Sequence, residues 1–80
     1  MTVGEAVQIR IAELCLEYDI TVNKLSNISG VNQSTVNNIV GGRNKITTVS
    51  TIKKLCDGLG ITIVDFFQSE VFFDLEQELR

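Results

Sequence analysis

Residues 20–42 read ITVNKLSNISGVNQSTVNNIVGG, two short apolar rhythms separated by Ser29-Gly30. In the first rhythm Val22, Leu25 and Ile28 recur at helical spacing, just after Thr21, whose hydroxyl suits a helix start. In the second, Val36 and Ile39 follow Asn32, which suits the same position. Gly30 favours the left-handed conformation that closes a helix, and Gly41-Gly42 stops the next one. The spacing predicts one helix from Thr21 through about Ile28 and another from Asn32 through about Val40. Only the four residues Ser29 to Asn32 separate them.

Two short helices joined by a tight glycine-containing turn form helix-turn-helix geometry. The flanking sequence supplies a core for it. A first helix is expected from about Gly4 to Tyr18, with Val7, Ile11, Leu14, Cys15 and Tyr18 on one face. Thr47 or Thr48 caps a fourth, whose inner stripe is Val49, Ile52, Leu55, Cys56 and Leu59, and Gly60 closes it. Thr62 caps a short fifth helix carrying Ile63, Phe66 and Phe67. A strand over 61–67 competes, because β-branched residues are frequent there. The T-x-x-D spacing of Thr62 and Asp65 favours the helix. Residues 70–79 read as a last helical turn or two, with Phe72, Leu75 and Leu79 at helical spacing. The expected fold is all-α.

Charge is distributed unevenly. The chain of 80 residues has a net charge of −3, which by itself discourages a nucleic-acid partner. Residues 20–56 nevertheless hold Lys24, Arg43, Lys45, Lys53 and Lys54 with no acid at all, while both ends are acidic. The amide-rich segment lies inside this basic block. With Val36 and Ile39 turned inward, Ser34, Asn37, Asn38 and Gly41 fall on the opposite face and Gln33 on its flank. Solvated faces usually carry Lys and Glu, which favour helices more than Asn does. Asn and Gln instead pair bidentately with adenine in the major groove, and Ser serves either kind of partner. This predicts base reading by the third helix, with a preference for A·T-containing sites. Arg43 and Lys45 follow the Gly-Gly stop, where a loop can bring them beside phosphates, and Lys24 lies early in the preceding helix. Backbone amides at the starts of the second and fourth helices add phosphate donors. Lys53 and Lys54 read as ordinary solvated charge.

Residues 20–67 closely resemble the phage-repressor and Cro-like helix-turn-helix family, often called the XRE family. The matching pieces are ITVNKLSNISGVNQSTVNNIVGG and TVSTIKKLCDGLGITIVDFF. Arg10, Ile11 and Leu14 extend the likeness to about residues 5–67. The resemblance implies a compact five-helix lambda-repressor-like domain over 1–68; a short C-terminal helical extension over 69–80 lies beyond the family's core and is expected to serve packing or dimerisation. It implies a transcriptional regulator, commonly a dimeric repressor, that binds operator DNA. By position, Asn32, Gln33, Ser34 and Asn38 match residues that contact bases or nearby phosphates; Asn37 is adjacent, and Thr35 is placed for phosphate. Three places depart from the pattern. Val22 stands where a phosphate-anchoring glutamine is frequent, Cys15 where a base is frequent, and Val40-Gly41 replace a polar helix end. Each removes a backbone contact, which points to weaker DNA affinity or to dependence on a second copy.

A second apolar strip, Ile9, Ala12 and Leu16, lies opposite the inner face of the first helix. The C-terminal SEVFFDLEQELR is the natural candidate to cover it, within the chain or across a homodimer. The alternative function is a helix-turn-helix protein-interaction module, antirepressor-like or antitoxin-like, with weak or no direct DNA reading. Enzymatic function is not expected: the chain has no histidine to serve a Ser or Cys nucleophile, and its acids sit on amphipathic helices. No cofactor, metal or small-molecule ligand is indicated, since Cys15 and Cys56 lack the spacing of a zinc site. The absence of an apolar run of about 18 residues and of a secretory-signal layout points to a cytoplasmic protein with reduced thiols.

Overall fold

The computed structural model describes residues 1–43 and 46–79, with α1 at Val3–Glu17, α2 at Val22–Ser29, α3 at Gln33–Val40, α4 at Val49–Leu59 and α5 at Ile63–Phe67. No strand occurs among the described residues, so the Ile61–Phe67 ambiguity resolves as a helix. Its cause is local: Thr62 accepts from the Asp65 amide at 3.0 Å while Asp65 accepts from the Thr62 amide at 3.1 Å. A reciprocal cap of this kind satisfies amide donors that a strand would have to leave to a partner. Thr21, Asn32 and Thr48 cap α2, α3 and α4 in the expected places. Gly30 and Gly60 close α2 and α4 at φ 70° and 74°.

The core is a single cluster drawn from every α-helix. Val7, Ile11 and Leu14 of α1 meet Leu25, Val36, Ile39, Ile52, Leu55, Cys56 and Phe66, with Val31 from the turn. Packing centres on α2, which lies against α4 and α3, while α1 supports α3. A close backbone approach makes this possible. A Cβ on Gly58 of α4 would stand 2.8 Å from Ser29 Cα and 2.9 Å from the Ile28 carbonyl. Only a residue without a side chain lets the two helices meet there.

Three apolar expectations shift at the margins. Val49 is 66% exposed, because the first turn of α4 projects past the core into a shallow groove with Val3 and Val7. Ile28 lies on the rim, since the α2–α4 contact at that level is backbone against backbone. Tyr18 is the C-cap of α1 and is exposed where that helix ends. Ser26, not an apolar residue, fills the remaining buried position of α2.

The C-terminal segment is less helical than its spacing suggested. A single 3₁₀ turn forms at Glu70–Phe72, and residues 74–79 have no regular structure. Phe72 stacks with Phe66 and Phe67 at ring separations of 6.2 and 4.9 Å, so one aromatic holds the segment to the core. Ser69 donates to Glu13 at 3.0 Å, and the Glu76 amide donates to the Met1 carbonyl at 2.9 Å. The segment therefore follows the Glu13 side of α1 and leaves the second strip open: Leu16 remains 84% exposed. Arg10 joins α1 to α5 by donating through Nε to the Phe66 carbonyl at 2.6 Å and through Nη2 to that of Asp65 at 2.9 Å. A cation on the last carbonyls of a helix completes its C-terminus.

Candidate nucleic-acid interface

Polar groups lock the turn between α2 and α3. The Ser26 hydroxyl, buried inside the motif, donates to the Val31 carbonyl at 2.5 Å, while Ser29 Oγ donates to the Leu25 carbonyl at 2.7 Å. The Gly30 amide donates to the Ser26 carbonyl at 3.0 Å. Val31 then enters the core, and Asn32 begins α3. These bonds set the relation of the two helices without a charged group.

Val36 and Ile39 are fully buried, which settles the rotation of α3. Gln33, Ser34, Asn37, Asn38 and Gly41 are all exposed, and Thr35 is half-buried beside the core. The structure thus gathers the sequence-chosen amides on one solvent face of eight residues that carry no charge. Their states differ along the helix. Asn32 Oδ1 accepts from both the Ser34 amide at 2.9 Å and the Ser34 hydroxyl at 2.7 Å, so the cap uses its acceptor and leaves Nδ2 outward. Gln33 and Asn37 make no side-chain hydrogen bond among the described residues and present both amide groups.

Residues 10–70, which contain this face and the helices that hold it, match the family model described as the Cro/C1-type HTH DNA-binding domain. The chain belongs to the Cro/C1-type helix-turn-helix family. A solved structure described as the crystal structure of prophage Lp1 protein 11 is similar to it. The TM-score is 0.77 and the identity 41%, over 88% of this chain and 92% of that one. No curated protein matches the chain. DNA is the partner class that this Cro/C1-type domain implies.

Among the described residues, the basic groups of the acid-free block lie on α2, on α4 and just after α3. Lys24 is exposed in the first turn of α2, where Thr21 Oγ1 accepts from its backbone amide at 3.0 Å. Lys45 lies outside the described residues. Lys53 is committed to Asp57, one turn along α4, and that hydrogen bond raises its pKa. Arg43 has no carboxylate partner among the described residues. Burial raises the thiol pKa of both Cys15 and Cys56, which keeps them protonated and apolar in character.

The sequence reading missed Gln8 of α1. Its Nε2 donates to the Val40 carbonyl at 3.0 Å, and a Cβ on Gly42 would lie 3.3 Å from its Oε1. Gln8 therefore fixes the end of α3 to α1 and faces the glycine turn. Its pairing spans 32 residues, and nothing in the local pattern signals it. Gly58 was equally silent, a glycine inside a helix whose purpose lies on a different helix. The site also contains an apolar groove where phosphate anchors were missing: Leu16, Ile20, Val22 and Val40 line it beside the start of α2.

Proposed function

We propose that this domain is a sequence-specific transcriptional regulator, acting as a repressor, that reads the major groove with α3. One observation carries the reading. The outward face of the helix is entirely uncharged hydrogen-bonding side chains, set on a rotation fixed by buried Val36 and Ile39, within an acid-free block of the chain. Asn and Gln at such positions exchange hydrogen bonds with base edges in the major groove. Gln33 and Asn37 retain free donors and acceptors and read adenine, while Ser34 and Asn32 meet the neighbouring backbone. Lys24, Thr35 and Lys45 supply the phosphate contacts, together with the exposed first-turn amides of α2 and α4.

Few cations and no anchor at Val22 make a single copy a weak binder. The domain therefore acts as a homodimer on two half-sites, which adds affinity and specificity. Residues 1–68 are the DNA-binding unit. The extension over 69–80 packs through Phe72 and offers Phe73 and Leu79, each 80% exposed, to the second copy. Loss of the dimer's solution mass on deletion of residues 70–80 is the expected result; an unchanged dimer excludes the extension as its main interface. A cytoplasmic location and a binding role without catalysis complete the reading.

Fluorescence anisotropy against genomic duplex fragments at two salt concentrations tests DNA reading. Specific, salt-sensitive binding that is lost on Gln33→Ala and Asn37→Ala supports it. The apolar groove around Leu16 and Val22 favours a second reading, a protein-interaction module of the same fold. Absence of binding at low salt selects that alternative.

A further inference from the structure

The end of α3 closes in an unusual way. Gly42, at φ 77°, donates its amide to the Ile39 carbonyl at 3.1 Å, and the Arg43 amide donates to the Asn38 carbonyl at 2.9 Å. This pair of bonds is the Schellman closure, in which the residues now occupied by Asn38 and Arg43 normally make an apolar contact. Here they make a polar one instead: Arg43 Nε donates to Asn38 Oδ1 at 3.0 Å. An exposed amide–guanidinium pair adds little stability where an apolar pair would add more, so stability does not account for it. The neighbouring Gly41 makes room for it. A Cβ there would stand 3.2 Å from Arg43 Nη1, so the guanidinium lies directly over the helix end. Gln8 braces the same turn from behind.

We propose that Arg43 and Asn38 form one base-reading unit whose target is the guanine of a G·C pair. This rests on the reading of α3 as the major-groove helix. Because Nε–H can only donate, the bond fixes the orientation of the Asn38 amide, with its oxygen toward Arg43 and Nδ2 free. With Nε engaged, the guanidinium presents its Nη1/Nη2 fork. The unit thus offers donors and spends one lone pair of its only acceptor internally. Guanine shows two adjacent major-groove acceptors, O6 and N7, and accepts a guanidinium fork bidentately; adenine shows one acceptor beside a donor. Asn38 is thereby a positioning residue for Arg43, while adenine reading falls to Gln33 and Asn37.

Selection from a randomised duplex library, carried out with the wild type, Arg43→Lys, Arg43→Ala and Asn38→Ala, tests this. The wild type is expected to select a motif with one strongly guanine position in each half-site. Arg43→Ala removes the donors and should erase that preference, with discrimination falling by about tenfold to a hundredfold, while Arg43→Lys, which still donates to O6 and N7 but lacks the planar fork, should only weaken it. Asn38→Ala should weaken the same position and spare the others. A guanine preference that survives Arg43→Ala overturns the proposal. So does a uniform affinity loss in Arg43→Ala, with the salt slope reduced by about one and the motif unchanged, because that marks a phosphate contact. A wild type that selects a motif lacking the guanine position overturns this proposal alone. A wild type that selects nothing at low salt overturns the major-groove reading as well.

Discussion

Helices α2 and α3 have the same length of eight residues, begin at a capping side chain and end at a glycine, yet they have opposite surroundings. The first is clasped between α4 and α3, buries the hydroxyl of Ser26, and meets α4 backbone to backbone at Gly58. The second buries only Val36 and Ile39 and turns its remaining polar side chains to solvent. Their contrast separates two kinds of polarity. Ser26 and Ser29 of α2 donate to carbonyls inside the protein and set geometry, while the amides of Gln33 and Asn37 are left for a partner. Substitutions on the inner side of α2 are therefore expected to change stability, and substitutions on the outer face of α3 to change binding.

The sharpest way to break this division is Leu25→Ala. Leu25 is buried in the core, and its truncation should lower unfolding free energy by about 2–5 kcal/mol in urea titration. Gly58→Ala comes next. Alanine favours a helix by about 1 kcal/mol, but its Cβ would press on backbone atoms of Ser29 and Ile28 that cannot yield cheaply. A net loss of about 1–3 kcal/mol is expected, and a gain in stability would show that α2 and α4 do not touch there. Ser26→Ala removes the buried hydroxyl that holds the Val31 carbonyl, and about 1 kcal/mol should follow.

On the other helix, Gln33→Ala should move stability by no more than about 0.5 kcal/mol while weakening the selected duplex by about tenfold to a hundredfold. A variant that instead unfolds would erase the distinction between the two helices. The smallest effect belongs to alkaline pH. Asp57 raises the Lys53 pKa by hydrogen bonding and charge, so its stabilising contribution is complete below the ordinary lysine value and is lost as pH rises through the folded value. Burial raises Cys56 in the same sense, so stability also falls above the ordinary thiol value near 9.0. Thermal melts between pH 8 and pH 11 should fall, and Lys53→Gln should flatten only the upper part of that decline.

Much of the domain was legible from residues 20–67. The caps at Thr21, Asn32, Thr48 and Thr62 and the stops at Gly30 and Gly60 were all readable, because capping and left-handed turns depend on side chains close in sequence. The orientation of α3 was readable too, because Val36 and Ile39 leave a single apolar direction. Helix ends and rims were not. Val49 and Ile28 continue apolar stripes in sequence, but whether a neighbouring helix reaches that level is a property of the packing. The last residues misled for a related reason: Leu75 and Leu79 keep helical spacing, yet only Phe72 is captured by an aromatic neighbour. Without burial, so short a helix is marginal.

By itself, then, the amino-acid order determined the five helices, their caps and the face that α3 turns outward, since each is settled by groups within a few residues of one another. The tertiary structure decided what bound those helices together: Arg10 on the carbonyls of α5, Gly58 beneath Ser29, and Gln8 on the end of α3. These partners are far apart in the sequence, and no local spacing encodes them. The Asn38–Arg43 bond lies between the two cases. Its residues were singled out separately as a base reader and a phosphate contact, and only the closure of the helix over Gly41 and Gly42 brought them into one unit.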